Sequence, residues 1–398
     1  MTRRLVRRAP VMCAGVAVAL LFGQTLPGTP AAHAHADPTR SPFVADTWQR
    51  FTSARLQGDG SLSDIVGLSP TDVWAVGQQD IWDAWEHRSA IVHWDGRTWT
   101  QVGIRNDGAG AEHLRSIAAA SPTDLWVVGT AHDRLPYVAH GDGTAFDRVS
   151  VDQIGAGDWL GGVDAVPGKV VAVGRRDRAP LILTRSGTTW KVDVAKGEGT
   201  LYSVAISGKG EGWAVGDAGG QPLIMRLSGG SWKRVPLPRL PGGYLRDVHL
   251  DGPKRALAIG GIYHGQGRST ALMLAWNGKR WSKLKVPVRS AKLYGVTGDG
   301  KGRFYVSGFD AKRPEETFLL RHDGRSTEII RGGRAGAHRT IRLQAVTTLP
   351  GSSAVWAVGH VVDASDRYSD VITAFVPKSR SRAEKNGSEI KKAAPATR

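Results

Sequence analysis

Cysteine is almost absent from this sequence, since Cys13 is the one copy among 398 residues. It lies within an apolar stretch near the N-terminus, and the residues before it do not resemble a lipoprotein attachment box. We expect this stretch to be removed on export, which leaves a mature chain without a thiol. A disulfide framework and a cysteine nucleophile are thereby excluded, so packing alone must stabilise the chain.

Long hydrophobic runs are also missing. The apolar stretch over residues 11–22 is shorter than the roughly 20 residues that a membrane-spanning helix needs. Four arginines precede it and a small-residue run ending at Ala36 follows it, which is the pattern of an export signal. We predict a signal peptide over residues 1–36, a short linker over 37–45, and a secreted protein with no transmembrane segment. The arginines match a twin-arginine signal only in part, so the export route stays open.

Sequence patterns for metals, phosphates and cofactors are lacking as well. The histidines beyond the signal peptide show no closely spaced ligand pair. Asp80, Asp83 and Glu86 lack the alternating acids of a calcium loop, so a solvated loop is the simpler interpretation. The glycines of residues 298–302 indicate a hairpin turn, because no helical pattern follows them. We therefore predict no cofactor and no metal site.

The charge of the chain is strongly one-sided, with a formal net charge of +17. Removing the four signal-peptide arginines leaves +13, of which +5 lies in residues 378–398. That final segment is polar and basic, and we predict a disordered tail. A cationic secreted protein is attracted to polyanions in a salt-dependent way. The remaining charge forms no basic stripe with interleaved aromatics, so we expect no dedicated nucleic-acid partner.

What the sequence does contain is a repeat, best seen as Val73-Trp74-Ala75-Val76-Gly77. Related phrases end at Gly129, Gly174, Gly216, Gly260, Gly308 and Gly359, with spacings of 52, 45, 42, 44, 48 and 51 residues. A period of this length is typical of propeller blades, because one small sheet cannot bury its own faces and must stack on copies of itself.

Each repeat predicts four short strands. In the first blade these are an inner strand over residues 62–68, a second over 73–76, a third over 90–94 and an outermost over 98–102. The second strand shows no polar alternation, which indicates burial on both faces. We interpret the glycine at its end as a residue that allows a sharp turn.

The seventh repeat lacks its outer strand and passes directly into the polar tail. The segment after the signal peptide reads Thr47-Trp48-Gln49-Arg50-Phe51. Its residue types match those of the tryptophan-bearing outer strand that begins at Ser231. We therefore predict that the strand near Trp48 completes the last blade, since closure removes exposed sheet edges. The predicted fold is all-β, a seven-bladed β-propeller of four-stranded blades over residues 46–377.

These motifs carry a family resemblance. The W-A-V-G phrase with the Asp95-Gly96 hairpin and Trp99 resembles the WAVG-repeat propellers of secreted bacterial proteins. It is more distantly similar to the Asp-box (BNR) hairpins of sialidase-like propellers, although Asp and Gly are adjacent here rather than separated by one residue. The resemblance implies a propeller fold and a secreted setting, and fold alone does not define a function.

Most of the 14 tryptophans recur at fixed repeat positions, and we interpret them, Trp159 included, as packing residues. Trp82 and Trp85 are different, because they share a long loop between the second and third strands of the first blade. Such loops and the connections between blades emerge on one face of a propeller, where functional groups concentrate. The same face is expected to carry Asp133, Arg134, Arg175, Arg176, Asp177, Arg178, Asp217, Tyr263, His264, Asp310, Lys312, Asp363, Asp366, Arg367 and Tyr368. Packing of the two loop tryptophans on their own blade is an equal alternative.

We predict a monomeric, non-catalytic protein that binds a carbohydrate, a cell-wall polymer or a secreted protein through this loop face. The predicted ligand-binding residues are Trp82, Trp85, Tyr263, His264, Arg176 and Asp177, with rings for stacking and charged groups for orientation. The alternative is a polysaccharide hydrolase or lyase that uses carboxylates of the same face.

Overall fold

The computed structural model describes residues 47–82, 88–108 and 110–377, and the regular secondary structure of these ranges is 29 β-strands, β1 to β29 along the chain. They form seven sheets, and each inner strand contacts the inner strands of both neighbouring sheets, so that the last sheet meets the first. This closed ring confirms the predicted seven-bladed β-propeller. Within these ranges no helix is long and apolar enough to cross a membrane.

The four strand positions of the blades repeat around the ring. The inner strands are β2 (Ser61–Ser69), β7 (Ala111–Ser121), β11 (Asp158–Val166), β15 (Thr200–Ile206), β19 (Gly243–Leu250), β23 (Lys292–Gly298) and β27 (Thr340–Thr348). The second strands are β3 (Asp72–Gln79), β8 (Asp124–Ala131), β12 (Lys169–Arg176), β16 (Gly212–Ala218), β20 (Ala256–Tyr263), β24 (Phe304–Phe309) and β28 (Val355–Val362). All inner and second strands pair in antiparallel fashion.

The outer half of each blade follows the same order. The third strands are β4 (Arg88–Trp94), β9 (Pro136–Gly141), β13 (Ala179–Ser186), β17 (Gln221–Ser228), β21 (Ser269–Trp276), β25 (Glu316–His322) and β29 (Tyr368–Val376). The outermost strands are β5 (Trp99–Gln101), β10 (Phe146–Arg148), β14 (Thr189–Val194), β18 (Ser231–Arg234), β22 (Trp281–Lys283), β26 (Thr327–Arg334) and β1 (Thr47–Trp48). The sequence did not predict β6 (Ile104–Arg105), which adds a parallel strand outside β10.

The ring closes through both ends of the described chain. Strand β1 pairs with β29, with Trp48 opposite Phe375 and the two rings 5.6 Å apart. Further along, the backbone of Thr52 exchanges two hydrogen bonds with Ile372. The carboxylate of Asp370 then accepts the N–H of Ala54 at 2.6 Å. This confirms the predicted closure, which pairs the last blade's free edge.

Hydrophobic clusters lie between neighbouring blades, one at each of the seven interfaces. Second strands contribute to the cluster on either side, which explains why their sequences show no polar alternation. The tryptophans pack across the same interfaces. Outer-strand Trp190 meets Trp126 of the preceding blade at 5.6 Å, and Trp281 meets Trp213 at 4.9 Å. Offset and edge contacts of this kind add to the stabilisation from buried area.

The repeat glycines have a different role from the predicted turn. Gly77 lies inside β3, which continues to Gln79, and the seven repeat glycines do not have positive φ angles. A β-bulge in the facing inner strand brings the carbonyl of Ser61 to the place where a side chain on Gly77 would be. The other six repeat glycines meet the equivalent inner-strand backbone in the same way. Glycine is therefore required for close approach of two backbones.

Three aspartates connect inner strands of successive blades. Asp64 accepts the N–H of Ile117 at 2.9 Å, and Asp164 accepts that of Ile206 at 2.7 Å. Asp247 accepts that of Val296 at 2.7 Å. Burial raises the pKa of Asp164 to about 7, against hydrogen bonds that lower it.

We expect Gly77→Ala to destabilise the protein by about 2–3 kcal/mol, because the added methyl group collides with rigid backbone. Gly103→Ala is the matched control, since an added Cβ at Gly103 meets no atom within 4 Å. Urea unfolding followed by circular dichroism measures the difference. Equal stability of the two variants would contradict the close-approach explanation.

We also expect the stability advantage of the wild type over Asp164→Asn to fall as the pH rises. The folded pKa of Asp164 lies above its unfolded value, so the wild type's proton-linked stability is present below about pH 4 and lost through about pH 7. The difference in free energy of unfolding is expected to change by about 2–3 kcal/mol across this range. Urea titrations at pH 4.5 and 8 measure it, and a pH-independent difference would contradict it.

Candidate functional site

A cavity of about 940 Å³ lies on the axis of the ring. The first residues of the inner strands form most of its wall, and residues that end or follow second strands, such as Asp217, Gly220 and Tyr263, extend it. Since second-to-third-strand loops and blade connections converge there, the cavity opens on the face where the sequence predicted function.

The bulges of the inner strands generate the wall. In each blade a buried leucine is followed by one extra residue that has no partner on the second strand. The seven bulge residues are Ser63, Arg115, Gly161, Tyr202, Arg246, Tyr294 and Gln344, and all of them line the cavity. The residues that follow them are small or acidic and line it too: Asp64, Ser116, Gly162, Ser203, Asp247, Gly295 and Ala345. A bulge redirects a side chain without disturbing the leucine beside it.

Trp159, which the sequence analysis assigned to packing, also lines the cavity. A side chain at Gly161 would collide with the indole ring of Trp159, at 2.6 Å from its Cη2 atom. The missing side chain therefore leaves room for the ring. The guanidinium of Arg115 lies 5.4 Å from that ring, and Tyr202 meets it edge-on at 5.9 Å. Burial lowers the pKa of Arg115, whose Nη1 donates to Thr130 at 2.5 Å.

A second cation lies three blades from Arg115. The guanidinium of Arg246 lies 4.8 Å from the ring centre of Tyr294, and its Nη2 is 3.5 Å from Oε1 of Gln344. Arg246 is exposed, whereas burial raises the pKa of the Tyr294 hydroxyl. A planar guanidinium held against an aromatic ring keeps its donors in the plane and available.

The carboxylates of the cavity are already hydrogen-bonded. Asp64 accepts from Ser116, Ile117 and Ile65, and burial raises its pKa to about 7. Asp247 accepts from Ser203, Val248 and Val296, and burial raises its pKa as well.

The third carboxylate, Asp217, accepts the hydroxyl of Tyr202 at 2.7 Å. Burial and this hydrogen bond raise the pKa of Tyr202 to about 12.

Ser61, His360 and Tyr368 form one corner of the cavity. The Ser61 Oγ and His360 Nδ1 atoms are 2.8 Å apart, and the imidazole ring lies 4.8 Å from the ring of Tyr368. Burial, with a contribution from Arg342, lowers the pKa of His360 to about 4. A histidine of that pKa is a weak general base at neutral pH, and its Nε2 is buried without a hydrogen-bond partner.

Two of the predicted ligand-binding residues are close to this cavity. Tyr263 lines it and is 53% exposed. Trp82 is 65% exposed and contacts Tyr368 edge-on at 5.5 Å, which places it at the cavity rim. It therefore does not fold back as a buried packing residue. Trp85 lies outside the described residues.

The other three predicted residues do not line the cavity. Arg176 forms an ion pair with the buried carboxylate of Asp158 at 2.7 Å. Asp177 has a φ of 53° at a turn and its N–H donates to Gly157. His264 lies 2.9 Å from the hydroxyl of Thr270 within its own hairpin. The structure thus does not bring the five described residues of the predicted six together in one place.

Sequence reasoning missed the inner-strand residues, above all Arg115, Arg246 and Tyr294. The signal that could have found them is the position after the repeated leucine, because its residue type differs between blades while the leucine is constant. Within the described ranges, no group of three or more His, Cys, Asp and Glu residues is arranged to hold a metal ion.

Comparisons with known proteins support the fold. No protein-family model matches the sequence, and no curated protein matches it significantly. Among solved structures, YCF48 bound to D1 peptide is similar, with a TM-score of 0.56 and 14% identity over 84% of this chain and 99% of that one. The Cps50 (Swd1) β-propeller domain of Myceliophteria thermophila gives a TM-score of 0.53 and 10% identity, covering 82% and 99%.

A Trypanosoma rangeli sialidase is also similar, at a TM-score of 0.49 and 15% identity, over 86% of this chain and 60% of the sialidase. YCF48 and the Cps50 domain, with TM-scores above 0.5, support the propeller fold, and no family model supports the expected WAVG-repeat or Asp-box resemblance. At these identities the likeness concerns the fold.

Proposed function

We propose that this protein is a secreted, non-catalytic propeller that binds an extended segment of a partner polypeptide in its central cavity. The observation that carries the proposal is the composition of the wall, in which Trp159, five tyrosines and two arginines surround one cavity. Tyrosine, tryptophan and arginine are the residues that dominate binding energy at protein interfaces. The five tyrosines are Tyr202, Tyr244, Tyr263, Tyr294 and Tyr368.

The donors of the cavity suit the backbone carbonyls of an extended polypeptide. Arg115 and Arg246 are pure donors, whereas the carboxylates of Asp64 and Asp247 already accept protein hydrogen bonds. The carbonyls of a peptide accept from such donors, and its side chains can pack on the aromatic rings of the wall.

The hydrogen bonds already made by the cavity carboxylates also weaken the hydrolase alternative. General acid–base catalysis on a polysaccharide needs a carboxylate free to exchange a proton with the substrate. Asp217 is bonded to Tyr202, and the other two cavity carboxylates connect neighbouring blades. A binding role leaves these contacts intact, which is why we prefer it.

We propose that the protein acts outside the cell. The pattern of an export signal over residues 1–36 supports secretion, and the W-A-V-G phrase supports a place among secreted WAVG-repeat propellers. The YCF48 structure is of a propeller bound to a peptide. It provides a precedent for the type of ligand in a fold of this kind.

Random dodecapeptide phage display against the immobilised full chain tests the proposal, with a glycan array screened in parallel. We expect peptide ligands whose affinity falls at least tenfold in Trp159→Ala, since truncating a central aromatic residue costs about 2 kcal/mol. Trp82→Ala is expected to cause a smaller loss because that residue lies at the rim.

Val194→Ala is the control, because Val194 is 43% exposed on outer strand β14 away from the cavity. Thermal unfolding confirms that each variant is folded. Peptides that bind Trp159→Ala as well as Val194→Ala would contradict the cavity as the site. Selective capture of glycans alone would contradict a polypeptide ligand.

A further inference from the structure

We propose that the segment bound in the cavity carries a carboxylate, and that Arg246 is the residue that recognises it. This inference rests on the proposed polypeptide-binding function and adds the chemical class of the group bound. The carboxylate is either an acidic side chain or a free C-terminus, which present the same pair of oxygens to a guanidinium.

Unlike Arg176 and Arg331, Arg246 has no acidic side chain of the described residues in an ion pair. Arg176 pairs with Asp158 at 2.7 Å and Arg331 with Asp310 at 2.5 Å. In the described part of the chain, Arg246 has no ion pair within 4 Å, and its side-chain contacts are Tyr294 and Gln344.

The neighbouring acid cannot take the place of a ligand. Asp247 follows Arg246 directly, but its Oδ1 accepts from Ser203 and Val248, and its Oδ2 accepts from Val296. These bonds hold that carboxylate against the floor of the cavity, where it connects two blades. The exposed guanidinium of Arg246 therefore keeps donors that no carboxylate of the described residues occupies, although its charge partly offsets the rise that burial causes in the pKa of Asp247.

The contacts that hold the Arg246 guanidinium favour a bidentate contact with a ligand. Tyr294 covers one face of the group at 4.8 Å, and Gln344 contacts one end through Nη2. The remaining in-plane donors are left for two oxygens side by side, the geometry of a bidentate carboxylate contact. A lysine at this position would supply the charge without the fork.

The other charged groups of the cavity are Arg115 and the carboxylates of Asp64, Asp217 and Asp247. Arg115 adds a second positive charge three blades away. Asp217 is the one cavity carboxylate held by a single tyrosine hydroxyl, and burial keeps the pKa values of Asp64 and Asp247 raised.

Three random decapeptide pools test the inference against the full-length chain. One is amidated and contains a single glutamate, one is amidated and uncharged, and one is uncharged with a free C-terminal carboxylate. Mass spectrometry measures the captured fraction of each at low and at physiological salt. We expect at least tenfold enrichment of the glutamate pool or the free-carboxylate pool over the uncharged pool, and the winner identifies the source of the carboxylate.

Arg246→Gln is expected to abolish this enrichment, and Arg246→Lys to keep a minor part of it. Arg97→Gln is the matched control, because it removes the same charge from an exposed hairpin outside the cavity lining. Equal enrichment in Arg246→Gln and Arg97→Gln would overturn the inference and leave only net charge.

The remaining outcomes separate this inference from the proposed function. Capture of all three pools at the same level, unchanged in Arg246→Gln, would overturn carboxylate recognition while polypeptide binding stands. Capture of none of them by the wild type would overturn both. Hyaluronan oligosaccharide serves as a further probe, and its capture in place of every peptide pool would show that the carboxylate belongs to a carbohydrate, which contradicts the polypeptide partner.

Discussion

The close approach of an inner-strand carbonyl to the glycine of the neighbouring strand is the contact on which the rest of this ring depends. It permits a bulge in every inner strand, as at Ser63, which follows the Leu62 that pairs with Gly77. The bulge directs one side chain per blade to the central axis, while the leucine before it stays in the core. Adjacent residues can therefore serve the core and the candidate site, because the bulge points their side chains in different directions.

The fold could be predicted because its signals are local and repeated. A constant phrase at blade-length spacing defined the blades, and the tryptophan of residues 47–51 identified the missing outer strand. The role of the glycines could not be predicted, because a sharp turn and a close backbone approach both call for the same residue type. Strand β6 was missed since two residues leave no period to detect.

The candidate site was predictable only at the level of the face. Trp82 could be identified because it lies in a long loop, and Tyr263 because it ends the second strand at the loop face. Arg246 and Tyr294 could not, because bulge residues share a position and no chemical type. Trp159 was assigned to packing for the same reason, since its role depends on the absent side chain of Gly161 two residues later. Side chains that vary at a constant backbone position can be assigned to a site only when the fold is known.

The bulge positions also determine how a ligand would be oriented. A ring of seven similar blades offers seven rotationally equivalent ways of entering its axis, and the backbone does not distinguish them. The side chains at the bulges remove this degeneracy. Two arginines, two tyrosines, a serine, a glutamine and a glycine occupy the seven positions in an order that no rotation repeats, and a tryptophan fills the space at the glycine. Asymmetric recognition therefore requires no departure from a near-symmetric scaffold, and single substitutions at these positions can alter selectivity without repacking the blades.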